Sequence, residues 1–211
     1  MTSPARFSEE NFQATLFALG ADRDKSVFPQ LRVAYSAPTR HYHTKAHITE
    51  CLALLDRFID LATHPYEVAM AIWFHDAIYD TTRSDNEERS ATWASRFLGS
   101  VGVAQEKGDR ITAMILATKT HESSNADCKL LLDIDLSILG ADPETFIAYD
   151  QAIRQEYDWV PEERYTLARR SVLGSFLARP RIYKTAQFFQ RYEQQARENL
   201  ERKISELLTR I

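Results

Sequence analysis

The chain has 211 residues, 44% hydrophobic and 27% charged, which is the composition of an ordinary globular domain and not of a disordered segment. Only 6 residues are glycine, roughly 3% against a usual share of about 7%, and that scarcity disfavours turn-rich β folds. Lys plus Arg number 26 and Asp plus Glu 30, so the net charge is −4 and a polymeric nucleic acid is not expected as a partner.

In chain order, a first amphipathic helix is predicted over 7–19, with Phe12, Leu16 and Leu19 on one side. A short helix over 27–35 stops before Ala37-Pro38, because proline biases the preceding residue away from helix. Residues 44–62 carry Ile48, Cys51, Leu52, Leu55, Phe58 and Ile59 as a helical stripe. Pro65 then opens a helix over 66–78 that is apolar nearly all round, the pattern of a central helix.

Helices over 84–98 and 103–118 follow, the first with an acidic opening turn that suits the helix dipole. Residues 129–139 form a short apolar helix interrupted by two aspartates. Asp142-Pro143-Glu144 opens 145–157, and Val160-Pro161-Glu162 opens a helix to about 177. The last helix, 182–208, carries Phe189, Tyr192, Ala196, Leu200, Ile204, Leu207 and Ile211 at three- and four-residue spacings. No repeat or linker divides the chain. The expected architecture is a single all-α domain over 1–211, a bundle of eight to ten helices.

Cys51 and Cys128 lie in apolar stretches without Cys-x-x-Cys spacing and read as buried thiols of a reducing compartment. Met1 to Phe12 is polar and lacks the apolar core of a signal peptide. The longest apolar run, Val68 to Phe74, is too short to span a bilayer. The expectation is a cytoplasmic protein with no membrane partner.

Chemistry concentrates in three places. His43 and His47 are four apart, a spacing that on a helix puts both on one face. Thr44 follows His43, so the zinc-peptidase pattern His-Glu-x-x-His is absent. His75 and Asp76 close the most apolar helix, with Asp80 one turn further on. Asp133 and Asp135 interrupt the aliphatic run 130–136. Any one of these residues alone reads as a hydrogen-bonded core group. Imidazole and carboxylate groups cost several kcal/mol to bury unpaired, and one shared ion would account for all three intrusions together.

His47, then His75-Asp76, then an aspartate in Asp133-Ile134-Asp135 resembles the H…HD…D signature of the HD-domain metal-dependent phosphohydrolases. The likeness spans about 40–140, with helices 142–211 packing on that core. Tyr42-His43-Thr44-Lys45-Ala46-His47 is similar to the Tyr-His-Asn-x-x-His segment of cyclic nucleotide phosphodiesterases, with Thr44 in place of asparagine. His75-Asp76-Ala77-Ile78-Tyr79-Asp80 is similar to the His-Asp-x-x-Glu-Asp stretch of alarmone hydrolases, with Tyr79 in place of glutamate. Ile134-Asp135-Leu136-Ser137 looks like the corresponding Ala-Asp-Leu-Ser of HD proteins, which favours Asp135 over Asp133. Together with Asn86-Glu87-Glu88, the set resembles an uncharacterised bacterial branch of predicted HD phosphohydrolases.

The resemblance implies a divalent ion (Mn, Fe, Co, Ni, Zn or Mg), one or two per chain, held by His47, His75, Asp76 and Asp135. It implies that Asp80 orients or deprotonates water and that His43 protonates the leaving oxygen. His121, Asp133 and Glu87 are candidates for a second ion or for supporting the first. Arg40, Lys45 and Lys119 are candidates to hold a phosphate. The expected substrate is a small-molecule phosphoester, with nucleotides the family-typical class and Trp73, Tyr79 and Trp93 available to stack. The rivals are a non-catalytic HD-like metal or nucleotide-binding module, a di-iron oxygenase, and a helical interaction protein whose His and Asp residues pair with each other. The long last helix leaves a homo-oligomer open.

Overall fold

The computed structural model describes residues 6–209. It is all-α: ten α-helices and two short 3-10 segments, with no strand among the described residues. The helices gather into two compact units, one ending at Ile134 and the other starting at Asp135. No helix is long and apolar enough to cross a membrane.

The first unit holds α1 (Glu9–Ala18), α2 (Val27–Ala34), α3 (Lys45–Arg57), α4 (Pro65–Phe74), α5 (Asn86–Ser100), α6 (Gln105–Ala117) and the body of α7 (Ala126–Asp135). As its sequence predicts, α4 is central, packing on α1, α3, α5 and α6 with every residue from Glu67 to Phe74 buried. Trp73, 0% exposed, meets Phe7, Phe12 and Phe28 at ring-centroid distances of 5.1, 5.4 and 6.1 Å. Phe74 packs edge-on to Trp93 at 5.6 Å. Tyr35, fully buried, donates its hydroxyl to the Trp73 carbonyl at 3.0 Å, tying the end of α2 to α4. Its phenol pKa is raised, chiefly by desolvation.

Helix ends depart from the sequence pattern where side chains capture backbone groups. Thr44 caps α3 by accepting from the Ala46 amide at 3.3 Å, and the helix ends at Arg57, with a separate 3-10 turn at Ile59–Leu61. α4 stops at Phe74 and not at 78. α7 starts at Ala126 and gives way after Asp135 to a 3-10 segment, Leu136–Gly140.

That 3-10 segment begins the second unit, followed by α8 (Pro143–Glu156), α9 (Glu162–Leu177) and α10 (Ala186–Leu208). α8 starts as its sequence predicts, with Asp142 accepting from the Thr145 amide at 3.0 Å and Pro143 at the first position. α10 begins four residues later than its stripe suggests, because the buried Glu193 carboxylate accepts the amides of Ile182 and Tyr183 at 3.0 and 3.2 Å. Its buried face is Phe188, Glu193, Ala196, Asn199, Leu200 and Leu207. Asn199 donates to the carbonyls of Leu139 and Ala141, so two polar side chains fix this helix where an all-apolar stripe was expected. Ile211 lies outside the described residues.

Candidate metal centre

His47 occupies the first turn of α3 on the side of Ile48, Cys51, Leu52 and Leu55, and is 3% exposed. His43 precedes the Thr44 cap, so the two histidines do not share a helical face as their spacing suggested. Their rings still lie 5.9 Å apart. Tyr42 approaches the His47 ring at 4.9 Å, and Tyr79 lies against His43 at 4.2 Å with ring planes 31° apart.

His75 is the residue that ends α4. Its amide completes the helix by donating to the Ala71 carbonyl at 2.9 Å. Its Nδ1 lies 2.9 Å from the Ile72 carbonyl, the acceptor that the Asp76 amide would need to continue the helix. Because a carbonyl only accepts, Nδ1 carries a proton, and Nε2 is the ring nitrogen presented on the opposite edge. Asp76 therefore sits in a turn, not on a helix, and Asp80 is not one helical turn from it.

The Nε2 atoms of His47 and His75 lie 3.2 Å apart. Asp76 Oδ2 is 3.1 Å from His75 Nε2 and 3.7 Å from His47 Nε2. Asp135, the last residue of α7, completes the group: one ligand atom from each of His47, His75, Asp76 and Asp135 lies within 4.8 Å of all the others. Both imidazoles are buried and both carboxylates half-buried, a closed inner side with an open outer side. Asp133 is 0% exposed and falls outside this group. Two residues along a helix turn about 200°, so Asp133 and Asp135 point to opposite sides of α7.

A donor set of two imidazoles and two carboxylates suits a borderline divalent cation, and the hydrogen bond from His75 Nδ1 is the outer support usual for a metal-ligating histidine. The residues fit an ion. Cys51, one turn after His47 on α3, brings its Sγ to 3.7 Å from His47 Nε2. The i,i+4 spacing of His47 and Cys51 was the sequence signal for that contact.

The other predicted site residues have definite places. Asp80 is exposed, and its carboxylate accepts from the Thr82 amide at 3.0 Å and the Thr82 hydroxyl at 2.6 Å, which lowers its pKa. His121 adopts a left-handed backbone (φ 53°) after α6, with its amide bonded to the Ala117 carbonyl at 2.8 Å. Glu87 is half-buried in the first turn of α5, and neither it nor His121 belongs to the cluster. Lys119 donates to the Ser84 carbonyl at 2.7 Å and pairs with Glu88. The Glu88 hydrogen bond raises the lysine pKa and the same bond lowers that of Glu88. Lys45 is exposed and lines an open groove with Arg32, Val33, Ser36, Ala37 and Pro38.

Arg40 is 7% exposed and hydrogen-bonds to the carbonyls of His43, Asp76 and Ala77. Trp73 is wholly enclosed by the aromatic core, and Tyr79 is the one of the three suggested stacking residues that lies beside a predicted site residue, His43. A separate, partly open cavity of about 120 Å³ is lined by Glu67, Arg110, Met114, Ser123, Asp127 and Cys128. Desolvation raises the Cys128 thiol pKa there, which makes it a poor nucleophile. No protein-family model, no curated protein and no solved structure matches the chain.

Proposed function

We propose that the cluster is a divalent-metal centre and that the protein is a metal-dependent phosphohydrolase acting on a small-molecule phosphoester, with nucleotides the class to screen first. The observation that carries this reading is the convergence of His47, His75, Asp76 and Asp135 to within 4.8 Å, with both imidazoles buried. The order of these residues, resembling the H…HD…D signature, supports it. A divalent ion bound there supplies Lewis acidity toward a phosphate oxygen and raises the acidity of water.

The chain's own groups do the rest. His75 is held in one tautomer by Ile72, so no ring rotation is needed before it binds. Asp76 and Asp135, half-buried at the open side, accept hydrogen bonds from the attacking water and align it. Asp80, kept ionised by Thr82, suits orienting a water better than taking its proton. His43, beside the cluster and packed against Tyr79, delivers the proton to the leaving oxygen in this reading.

Metal content of tag-free protein, by mass spectrometry before and after reconstitution with a divalent mixture, tests the centre. About one or two ions per chain, lost in His75→Ala and Asp76→Ala, are expected, followed by turnover in a phosphoester panel. Folded, reconstituted wild type without an ion overturns it. A second reading, a non-catalytic metal-binding module, is favoured by the engagement of Arg40 and Lys119 with protein groups instead of an open phosphate site. It predicts full metal loading and no turnover.

A further inference from the structure

A buried guanidinium needs acceptors for its N–H groups, and the terminal nitrogens of Arg40 find theirs on main chain. Nη1 donates to the His43 carbonyl at 3.0 Å and to the Asp76 carbonyl at 2.7 Å, and Nη2 donates to the Ala77 carbonyl at 3.0 Å. The cation also lies over the rings of Tyr35 and Tyr79, at 5.0 and 5.4 Å from their centroids. Two of the three carbonyls follow directly on the end of α4, where carbonyls lack helical partners and the dipole favours a cation. The third immediately precedes Thr44, which caps the helix carrying His47. Nε is buried with no hydrogen-bond partner among the described residues, so the side chain keeps this position although one of its donors goes unmatched.

We infer that Arg40 is a positioning residue for the metal centre: one guanidinium fixes the backbone at Asp76 and Ala77 relative to the start of α3, and so sets His47 against His75 and Asp76. The consequence for metal affinity rests on the reading proposed above. The mechanical part does not. Lysine cannot reproduce the brace, since a single ammonium lacks the planar fork that reaches three carbonyls at once.

The test compares Arg40→Met and Arg40→Lys with wild type, using Arg169→Met in the second unit as a destabilised control. Two readouts are taken: Co²⁺ affinity by direct titration, and amide hydrogen exchange at His75, Ala77 and Ile78. The expected result for Arg40→Met is at least about tenfold weaker Co²⁺ binding, and at least about tenfold faster exchange at those three amides with α6 unchanged. Arg40→Lys recovers part of each, and Arg169→Met shows neither. Unchanged exchange in Arg40→Met, or equal losses in the control, overturns the inference. If wild type binds no Co²⁺, the metal reading falls, and the exchange data alone decide whether Arg40 is the brace.

Discussion

His47 Nε2 and His75 Nε2 face each other at 3.2 Å, although 28 residues separate them in sequence. His75 donates from Nδ1 to the Ile72 carbonyl, which turns its Nε2 toward His47 and the Asp76 carboxylate. In the proposed centre, both nitrogens and the Asp76 carboxylate turn to one cation. If the cluster takes up a divalent ion as proposed, metal uptake would couple to fold stability, because the four residues come from separate segments of the chain that unfolding disperses.

Divalent ion at about one hundred times its Kd is therefore expected to stabilise wild type by about 2.7 kcal/mol. Thermal melts with and without Mn²⁺ or Co²⁺, and after chelation, read this directly. His75→Ala and Asp135→Ala lose the metal-dependent rise. Asp133→Asn keeps it, since Asp133 lies outside the cluster.

How much of this could be read from sequence follows from the kind of signal each residue gives. His47, His75, Asp76 and Asp135 stood out, together with His43 and Asp133, because imidazole or carboxylate falls among aliphatic residues. The choice of His47 and Asp135 from that wider set came from the resemblance to the H…HD…D signature. The hydrophobic period set α4 too long. It registers apolar residues but not the Ile72 carbonyl captured by His75 Nδ1. Arg40 was read as a phosphate ligand because an arginine in a loop looks the same whether it faces solvent or three carbonyls. Glu193 and Asn199 were invisible for the same reason: their acceptor and donor partners are main-chain groups that the fold brings to them.

Two glycines separate packing from propensity. A Cβ at Gly140 would stand 2.6 Å from the Tyr192 carbonyl oxygen and 2.7 Å from its Cβ, both too close to be relieved by turning a flexible side chain. Gly140→Ala is expected to destabilise by about 1–3 kcal/mol through overpacking. Gly108, inside α6 with nothing within 4 Å of its would-be Cβ, has the opposite sign. Gly108→Ala is expected to stabilise by about 0.5–1 kcal/mol. Urea melts of both variants check the pair, and a stable Gly140→Ala would refute the close approach.

In the second unit, Arg169 and Asp150 are 8% and 5% exposed and meet at 2.9 Å, with Lys203 on the other Asp150 oxygen at 2.8 Å. Removing one partner of a buried pair usually costs about 3–5 kcal/mol, because the other charge is left without its counter-ion. Lys203 still neutralises Asp150 in Arg169→Met, so the expected loss is about 3 kcal/mol, the low end of that range. Arg169→Met combined with Asp150→Leu should lose less than the sum of the two single changes, as a double-mutant cycle by denaturant melts would show.

Acid sensitivity has a named contributor in Asp142. The Thr145 amide, and then its hydroxyl, hydrogen-bond the carboxylate and hold its pKa below the usual value. A depressed folded pKa means the contribution to stability is complete above the unfolded carboxylate pKa of about 3.9 and is lost as pH falls through the lower folded value. Asn is also a good N-cap but does not titrate, so Asp142→Asn isolates the charge. The melting temperature of wild type should exceed that of Asp142→Asn by a constant margin above about pH 5. That margin should close below about pH 4 as the aspartate is protonated. A margin that stays constant down to pH 2.5 would show that the carboxylate's charge contributes nothing to holding the start of α8.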